Sequence, residues 1–364
     1  RHMKSLPGDV FGLYCTEEDL LCAEVFAHIK RLNAEGGKTI RLSPCAAYFE
    51  RLQPASLRRW RGEFNPTFTG CYTTRCEGKQ LYREAETGLQ DAETALALAS
   101  LTAGAPYPRA ALDSLWEAIS LEQFHDALCG CHVDAVADDI RGSLGRLIQG
   151  NGELQQEALQ NLGGQALGPA LIALNGLGFD RQEPVVLAGS PGLVPADANG
   201  APLPAQQTAS GLAFVAAAPS VGTAFIPLRP GRPAEPDVES DPRKLRDLAF
   251  ETAHYRVRFR DAEPIIAPKK IRAPLFPGQG FGEIWFRDDH GTLWTEDYLG
   301  SLYGREYSSE RVLRCERGPV LTRVVLSGEV APAEHGFGAG QLFAGFEHLS
   351  WEKDYVFYQE LERF

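Results

Sequence analysis

A change in composition near Gly168 is the feature that most constrains how this chain folds. Residues 73–160 are rich in Ala, Leu, Glu and Arg, which favours three helices with short connections, the pattern of a small bundle. After Gly168, short runs of Val, Ile, Leu and Phe alternate with Pro, Gly, Asp and Asn, which is typical of a β-sandwich. Within this part, the proline-rich residues 229–244 predict a mobile connection. Because helices and strands occupy separate stretches, the sequence predicts an α+β multidomain fold.

The helical stretch divides into three predicted helices. The first spans about residues 75–101 with Thr74 as its N-cap, and the second spans about residues 109–128. The third starts at a cap on Asp134, and Asn151-Gly152 interrupts its pattern. The clearest predicted strands are residues 171–174, 185–187, 255–259 and 320–326.

Residues 7–52 have the pattern of an incomplete α/β unit. An acid-rich helix is stopped by Gly36-Gly37, residues 39–42 predict a short strand, and Ser43-Pro44 opens a second helix. One strand between two helices is less than a whole α/β domain, so we expect the last part of a larger one. Arg1-His2-Met3 contains the only methionine and has the form of an engineered start. The chain is therefore expected to be a fragment.

Composition excludes several classes of partner. The formal net charge is −12, which disfavours nucleic acid and anionic membrane surfaces, because both are bound through clustered Lys and Arg. No apolar run reaches the roughly 18 residues that a membrane span requires. A neutral substrate fits this negative charge better than nucleic acid or an anionic membrane does. The eight cysteines are scattered without C-x-x-C spacing, and no secretory signal is visible, which predicts reduced thiols and a cytoplasmic protein.

The tract at residues 121–130 carries the candidate chemistry. His125 and Asp126 stand side by side near a predicted helix end, and imidazole next to carboxylate can hold a divalent metal or handle a proton. From the residues alone, an ordinary helix end is the favoured interpretation. A local metal site of His125, Cys129, Cys131 and His132, serving a hydrolase, has the right ligand types, but its spacing matches no familiar zinc pattern.

The direction of the two side chains follows from helix periodicity. At about 100° per residue, Asp126 continues the apolar face of the predicted helix 109–128, while His125 points well away from it. The two side chains are therefore predicted to leave the bundle in different directions. The residues that define the apolar face are Leu112, Leu115, Trp116 and Ile119.

Two other segments are weaker candidates. Aromatic and acidic side chains between Trp285 and Tyr298 suit sugar rings, which offer apolar faces and hydroxyl rims. A loop folded over the sandwich is the favoured interpretation of this segment. Residues 63–72 are interpreted as packing between domains, with a lip over a substrate as the alternative.

Three tracts of this sequence resemble one enzyme family. Trp-Glu-Ala-Ile-Ser-Leu-Glu-Gln-Phe-His-Asp-Ala-Leu-Cys-Gly at residues 116–130 resembles the class II α-mannosidases of glycoside hydrolase family 38. Gly-Cys-Tyr-Thr-Thr-Arg at residues 70–75 is similar to the family's entry into its first bundle helix. Residues 171–177 look like the first strand of its β-region. Among these, the Gln-Phe-His-Asp tract is the specific one.

The resemblance implies a domain order and a chemistry. Residues 4–70 would be the C-terminal part of a catalytic α/β barrel, residues 71–167 a three-helix bundle, and residues 168–364 an incomplete β-sandwich region. Members of the family are retaining glycosidases that form a covalent glycosyl-enzyme intermediate. Their zinc ion binds hydroxyl groups of the substrate. By resemblance, His125 is a zinc ligand and Asp126 contacts the α-mannoside oligosaccharide, and no catalytic residue falls within this chain.

The sequence also departs from the family pattern. Cys129-Gly130-Cys131-His132 stands where the family has proline, glycine and small hydroxyl residues, and the barrel segments with the other zinc ligands and the nucleophile are missing. We therefore expect a fragment of a cytoplasmic, zinc-dependent α-mannosidase that is inactive by itself, does not retain zinc, and can form a homo-oligomer. The alternative from another class is a non-catalytic carbohydrate-binding or scaffold module.

Overall fold

The computed structural model describes most of the chain from residue 23 onward. The chain divides into two units, Arg1–Phe64 and Asn65–Phe364. Most of the aromatic and acidic segment between Trp285 and Tyr298 lies outside the described residues, as does the first half of the lip candidate at residues 63–72. The described residues are 23–37, 39–51, 59, 61–62, 68–163, 169–189, 192–271, 273–275, 281–284, 286–289, 299–303, 309–330 and 349–364.

The first unit contains two described helices, α1 (Ala23–Ala34) and α2 (Cys45–Phe49). The predicted strand at residues 39–42 is wrong. The side-chain amide of Asn33 donates to the Ile40 carbonyl at 2.9 Å and accepts from the Ile40 amide at 2.7 Å. This amide satisfies the backbone groups of Ile40, and residues 39–42 form no strand in the described chain. The predicted barrel remnant stays a prediction.

The ends of these two helices follow backbone geometry. Gly36 and Gly37 adopt positive φ angles of 79° and 91° just beyond α1, which agrees with the predicted stop. The predicted serine cap of α2 is wrong, because Pro44 occupies the N-cap position and no side chain caps the helix.

Three long helices form the start of the second unit: α3 (Cys76–Ala103), α4 (Arg109–Glu122) and α6 (Asp134–Gly163). Between the last two lies the one-turn helix α5 (His125–Leu128). The long helices pack around one core because each places apolar residues at spacings of three and four. The buried apolar side chains are Tyr82, Ala85, Leu89, Ala95, Leu96 and Ala99 from α3, Leu112 and Ile119 from α4, and Ile140, Leu144, Leu147 and Ala158 from α6.

The predicted interruption of the third helix is wrong, and α6 runs through Asn151 without a break. Asn151 is buried, and its side-chain amide donates to the Ala85 carbonyl on α3 at 2.8 Å. A Cβ atom on Gly88 would lie only 3.3 Å from the Asn151 amide nitrogen, so the glycine leaves room for it. The asparagine that suggested a break is instead a polar contact between two helices.

The β-region begins with two three-stranded antiparallel sheets among the described strands. In the first, β1 pairs with β6 and β6 with β3, and in the second, β2 pairs with β5 and β5 with β4. Phe214 and Ile226 bury their side chains in the core of this part. The strands are β1 (Ala170–Asn175), β2 (Arg181–Leu187), β3 (Leu193–Pro195), β4 (Ala205–Thr208), β5 (Gly211–Ala218) and β6 (Gly222–Pro230).

The remaining described strands form three further antiparallel sheets, in the orders β10-β9-β8, β11-β12 and β15-β14-β13-β7. Their core contains Phe259, Val324 and Phe357, which are fully buried. The elements are β7 (Asp237–Glu239), α7 (Pro242–Leu245), β8 (Ala249–Glu251), β9 (Tyr255–Arg260), β10 (Glu263–Pro268), β11 (Phe286–Asp289), β12 (Leu299–Tyr303), β13 (Ser309–Arg317), β14 (Leu321–Val330) and β15 (Leu349–Tyr358).

Strand β9 shows why this part folds as sheet. Its buried residues alternate with exposed arginines, which is the period of two that a half-buried strand requires. The predicted mobile connection at residues 229–244 contains two short elements, β7 and α7, and Asp241 caps α7 by accepting from the Arg243 amide at 3.0 Å.

Helices followed by antiparallel sheets confirm the predicted α+β class. The limits of the three predicted domains stay predictions. Among the described helices, none is long and apolar enough to cross a membrane.

Candidate functional site at the end of the helical bundle

The predicted helix over residues 109–128 is broken at its end. Helix α4 stops at Glu122, and Phe124 takes an extended backbone with φ −54° and ψ 140° before α5 begins. The hydroxyl of Tyr82 donates to the Glu122 carbonyl, which satisfies a backbone acceptor that has no partner within the helix. Burial raises the pKa of Tyr82 to about 12, so this phenol keeps its proton and acts as a donor.

This break changes where the two candidate side chains point. The prediction that His125 and Asp126 leave the bundle in different directions is wrong, because it assumed one continuous helix. The His125 Nε2 atom lies 3.5 Å from the Asp126 Oδ1 atom, and the side chains are 64% and 63% exposed. The Phe124 ring packs on the imidazole with a centroid separation of 4.3 Å. The structure therefore brings the imidazole and the carboxylate together at the surface.

The turn after α5 is held by Arg75, which precedes α3. Its guanidinium donates to the Gly130 carbonyl at 3.3 Å, the His132 carbonyl at 3.0 Å and the Asp134 carboxylate at 2.7 Å. The hydrogen bond from Arg75 holds the pKa of Asp134 below its usual value. Arg75 thus fixes α5 and its turn to the start of two long helices. This role is visible only in the folded structure, because Arg75 lies more than fifty residues before its hydrogen-bond partners in the sequence.

The start of α3 also differs from the prediction. Arg75 occupies the N-cap position in the left-handed conformation, and no side chain caps the helix. The hydroxyl of Thr74, the predicted cap, donates to the Gly70 carbonyl at 2.7 Å. Lys79, one turn into α3, donates to the Thr74 carbonyl and to the Cys129 carbonyl, so it is a second cation that holds the turn.

Replacing Gly130 with alanine is expected to lower the free energy of unfolding by about 1–2 kcal/mol. Gly130 has φ +80°, and an added Cβ would lie 3.1 Å from the Thr74 carbonyl oxygen. Urea unfolding of the 364-residue chain measures the change. The matched control is Gly145→Ala in α6, where a Cβ meets nothing and about 0.5–1 kcal/mol of stabilisation is expected. Equal effects of the two substitutions would contradict the proposed strain at Gly130.

Cysteine side chains converge at the same turn. Sγ of Cys129 lies 3.1 Å from Sγ of Cys131. One ligand atom each from Asp126, Cys129 and Cys131 lie within 4.8 Å of one another. The local metal site suggested by the sequence therefore has a different membership: in the described residues, neither His125 nor His132 joins this group.

The protonation of these groups follows from burial and mutual contact. Burial, followed by the neighbouring Cys129, raises the pKa of the Cys71 thiol. The hydrogen bond with Cys129 raises the pKa of Cys131. Burial lowers the pKa of the Lys79 ammonium, while the nearby thiols oppose that shift. The pKa values of the Cys71 and Cys131 thiols and of the Lys79 ammonium are therefore shifted by burial and by their neighbours at this turn.

The helical part is similar to a family of known proteins. Residues 66–162 match the family model described as the alpha mannosidase middle domain. Alpha-mannosidase 2C1 of Mus musculus is 33% identical over 165 residues, which are 44% of this chain and 16% of that protein. Alpha-mannosidase 2C1 of Homo sapiens is 34% identical over 172 residues, with the same shares of the two chains.

Solved structures agree at the level of the fold. An alpha-mannosidase from Enterococcus faecalis V583 superposes with a TM-score of 0.55 at 16% identity, covering 72% of this chain and 36% of that one. A glycosyl hydrolase family 38 protein from Enterococcus faecalis superposes with a TM-score of 0.59 at 16% identity, covering 87% of this chain and 44% of that one.

Residues 66–162, the helical part of this chain, are thus similar to the alpha-mannosidase middle domain. The chain is similar in sequence to alpha-mannosidases and in fold to a glycosyl hydrolase family 38 protein, which agrees with the resemblance of its tracts. Its alignment with the curated relatives spans about one sixth of their length, 16% in each case.

The residues described in this structure do not assemble a zinc site around His125. A catalytic zinc needs about three protein ligands, and His125 belongs to no group of three His, Cys, Asp or Glu ligand atoms in the described part of the chain. An exposed histidine next to one carboxylate can supply only part of such a site.

Proposed function

We propose that this chain is part of a zinc-dependent, retaining α-mannosidase that hydrolyses terminal α-mannosides. The observation that carries this proposal is the middle-domain match over residues 66–162, which encloses the Gln-Phe-His-Asp tract. In this proposal His125 supplies one zinc ligand and Asp126 contacts the substrate sugar. Other parts of the complete enzyme supply the remaining ligands, the carboxylate nucleophile and the acid/base.

The local geometry supports these two roles. Both side chains are mostly exposed, and they project from a turn that Arg75 ties to α3 and α6. An exposed pair on a rigid support suits a site completed by a second surface, because the ligand positions are fixed before the surfaces meet. The exposed ring of Phe124 beside His125 would suit the apolar face of a sugar.

The 364-residue chain by itself is expected to show no turnover of a chromogenic α-mannoside. The reason is that one histidine ligand cannot hold a catalytic zinc ion. The assay compares purified chain with buffer and with chain supplemented by zinc. Turnover that a chelator abolishes would contradict the proposal that other parts of the complete enzyme supply the remaining zinc ligands.

Calorimetry with mannose and oligomannosides tests the alternative function, in which the chain is a carbohydrate-binding module. We expect no binding by the isolated chain. Binding that survives His125→Ala and Asp126→Asn would favour the module, because neither proposed site residue would then matter. The cytoplasmic location and a homo-oligomeric state stay predictions, which cell fractionation and light scattering can check.

A further inference from the structure

Two cysteine side chains approach each other in the turn that follows α5. Sγ of Cys129 lies 3.1 Å from Sγ of Cys131, and a single residue, Gly130, separates them in the sequence. The Asp126 carbonyl accepts from the Cys129 thiol at 3.6 Å and from the Cys131 thiol at 3.8 Å. Because both thiols donate to one backbone oxygen, the two sulfur atoms lie on the same side of the turn.

The backbone holds the two thiols in this arrangement. Gly130 has φ +80°, a left-handed conformation that turns the chain sharply between the two cysteines. The Lys79 ammonium donates to the Cys129 carbonyl at 3.5 Å. The Arg75 guanidinium donates to the Gly130 carbonyl at 3.3 Å and to the His132 carbonyl at 3.0 Å. Two cations of α3 and its N-cap therefore fix the peptide groups that carry the thiols.

The distance between the two sulfur atoms is close to that of a covalent bond. Both cysteines are free and partly buried, and their separation of 3.1 Å exceeds the roughly 2.05 Å of a disulfide by about 1 Å. A small rotation of each side chain is sufficient to close this gap. We propose that Cys129 and Cys131, here called the redox pair, form a reversible disulfide by exchange with a small-molecule disulfide of the glutathione type.

The exchange takes place in two steps. One cysteine thiolate of the redox pair attacks a sulfur atom of oxidised glutathione, which breaks the glutathione disulfide and releases one glutathione thiolate. The second cysteine thiolate then attacks the protein sulfur atom of the mixed disulfide, and the second glutathione thiolate leaves. The two protons given up by the cysteines end on the two departing thiolates. The protein therefore loses two electrons, and oxidised glutathione gains them.

The small ring of this disulfide favours its reversal. A disulfide stabilises a fold more when it closes a longer loop, and this one spans only residues 129–131. Disulfides in reducing compartments are usually transient, which is the behaviour expected of a weakly stabilised bond. The bond uses neither the His125 ring nor the Asp126 carboxylate. The redox pair is therefore a modification site separate from the two side chains of the proposed function.

The sequence makes the disulfide simple to detect. Trypsin cleaves after Arg109 and Arg141 and at no site between them, so both cysteines fall in one peptide that contains no other cysteine. The 364-residue chain is incubated with oxidised glutathione, treated with N-ethylmaleimide, digested and analysed by mass spectrometry. We expect peptide 110–141 to be two hydrogen atoms lighter than its reduced form and to carry no maleimide. Two maleimide groups, or a retained glutathione, would overturn the proposal.

A comparison with the unfolded chain tests whether the fold prepares the redox pair. In glutathione buffers, the equilibrium constant for forming the disulfide should be about tenfold higher in the native chain than in urea, as chain entropy predicts for a three-residue loop. An equal or lower constant in the native chain would overturn the proposal, because the folded turn would then not favour the bond. Dithiothreitol should return both thiols to the reduced state.

Matched variants identify the two partners. In Cys129→Ser and in Cys131→Ser, the remaining thiol of peptide 110–141 should retain glutathione, because the thiol that displaces it is absent. The controls are Cys71→Ser, which removes a partly buried cysteine, and Cys45→Ser, which removes an exposed one. Both controls should form the disulfide as the parent does, and its loss in Cys71→Ser would overturn the assignment. These measurements use no sugar and no metal, so they keep their expected results if the proposed mannosidase function is wrong.

Discussion

His125→Ala, introduced into the complete enzyme that contains this chain, is expected to lower kcat/KM for an α-mannoside about 100-fold or more. Loss of a partner that only orients a zinc ligand typically costs about 10–100-fold, so loss of a ligand should cost at least as much. The enzyme's zinc content, measured by elemental analysis, should fall in parallel. Joint loss of metal and activity is the outcome specific to a ligand.

The control for this substitution is His254→Ala. The His254 ring is hydrogen-bonded to the Glu360 carbonyl in the β-region and has no proposed part in the site. Its replacement should leave kcat/KM and zinc content within about twofold of the parent, which is the change expected of a peripheral residue. If His125→Ala kept both full activity and full zinc content, the role proposed for His125 would be wrong.

Leu144→Ala is expected to lower the free energy of unfolding of the 364-residue chain by about 2–5 kcal/mol. Leu144 is fully buried among the three long helices, so truncation removes apolar contact and leaves a cavity. Chemical denaturation followed by circular dichroism measures the loss. A cost of this size is a large part of the stability of a typical domain.

Leu101→Ala is the comparison for the cavity. Leu101 lies in the last turn of α3 with 84% of its surface exposed, so the same truncation should change stability by less than about 0.5 kcal/mol. Similar costs at the two positions would show that helix propensity, and not burial, dominates the effect.

Long periodic segments were predictable from this sequence, and local breaks were not. The composition rich in Ala, Leu, Glu and Arg predicted the long helix α3, and the start predicted at Asp134 agrees with that of α6. The break at Phe124 could not be predicted, since no glycine or proline marks it in the sequence. Its acceptor is satisfied by Tyr82, a residue forty positions earlier.

The candidate site shows the same limit. Residue type and resemblance selected His125 and Asp126, but their common orientation depends on the break before α5. The contribution of Arg75 depends on contacts across more than fifty residues. The grouping of Asp126 with Cys129 and Cys131 needed the turn at Gly130, whose left-handed backbone is fixed only when α3 packs against it.

The hydrogen bond from Asn151 to Ala85 sets the axial alignment of α6 against α3. Sliding either helix by one turn, about 5.4 Å, would leave the amide in an apolar core without its acceptor. Such polar pairs can specify register, as single asparagines do in coiled coils. The same two helices carry Arg75 and Asp134 near their starts, where the two side chains form an ion pair. By fixing the alignment of the helices, the buried amide therefore also fixes the position of the turn that carries His125.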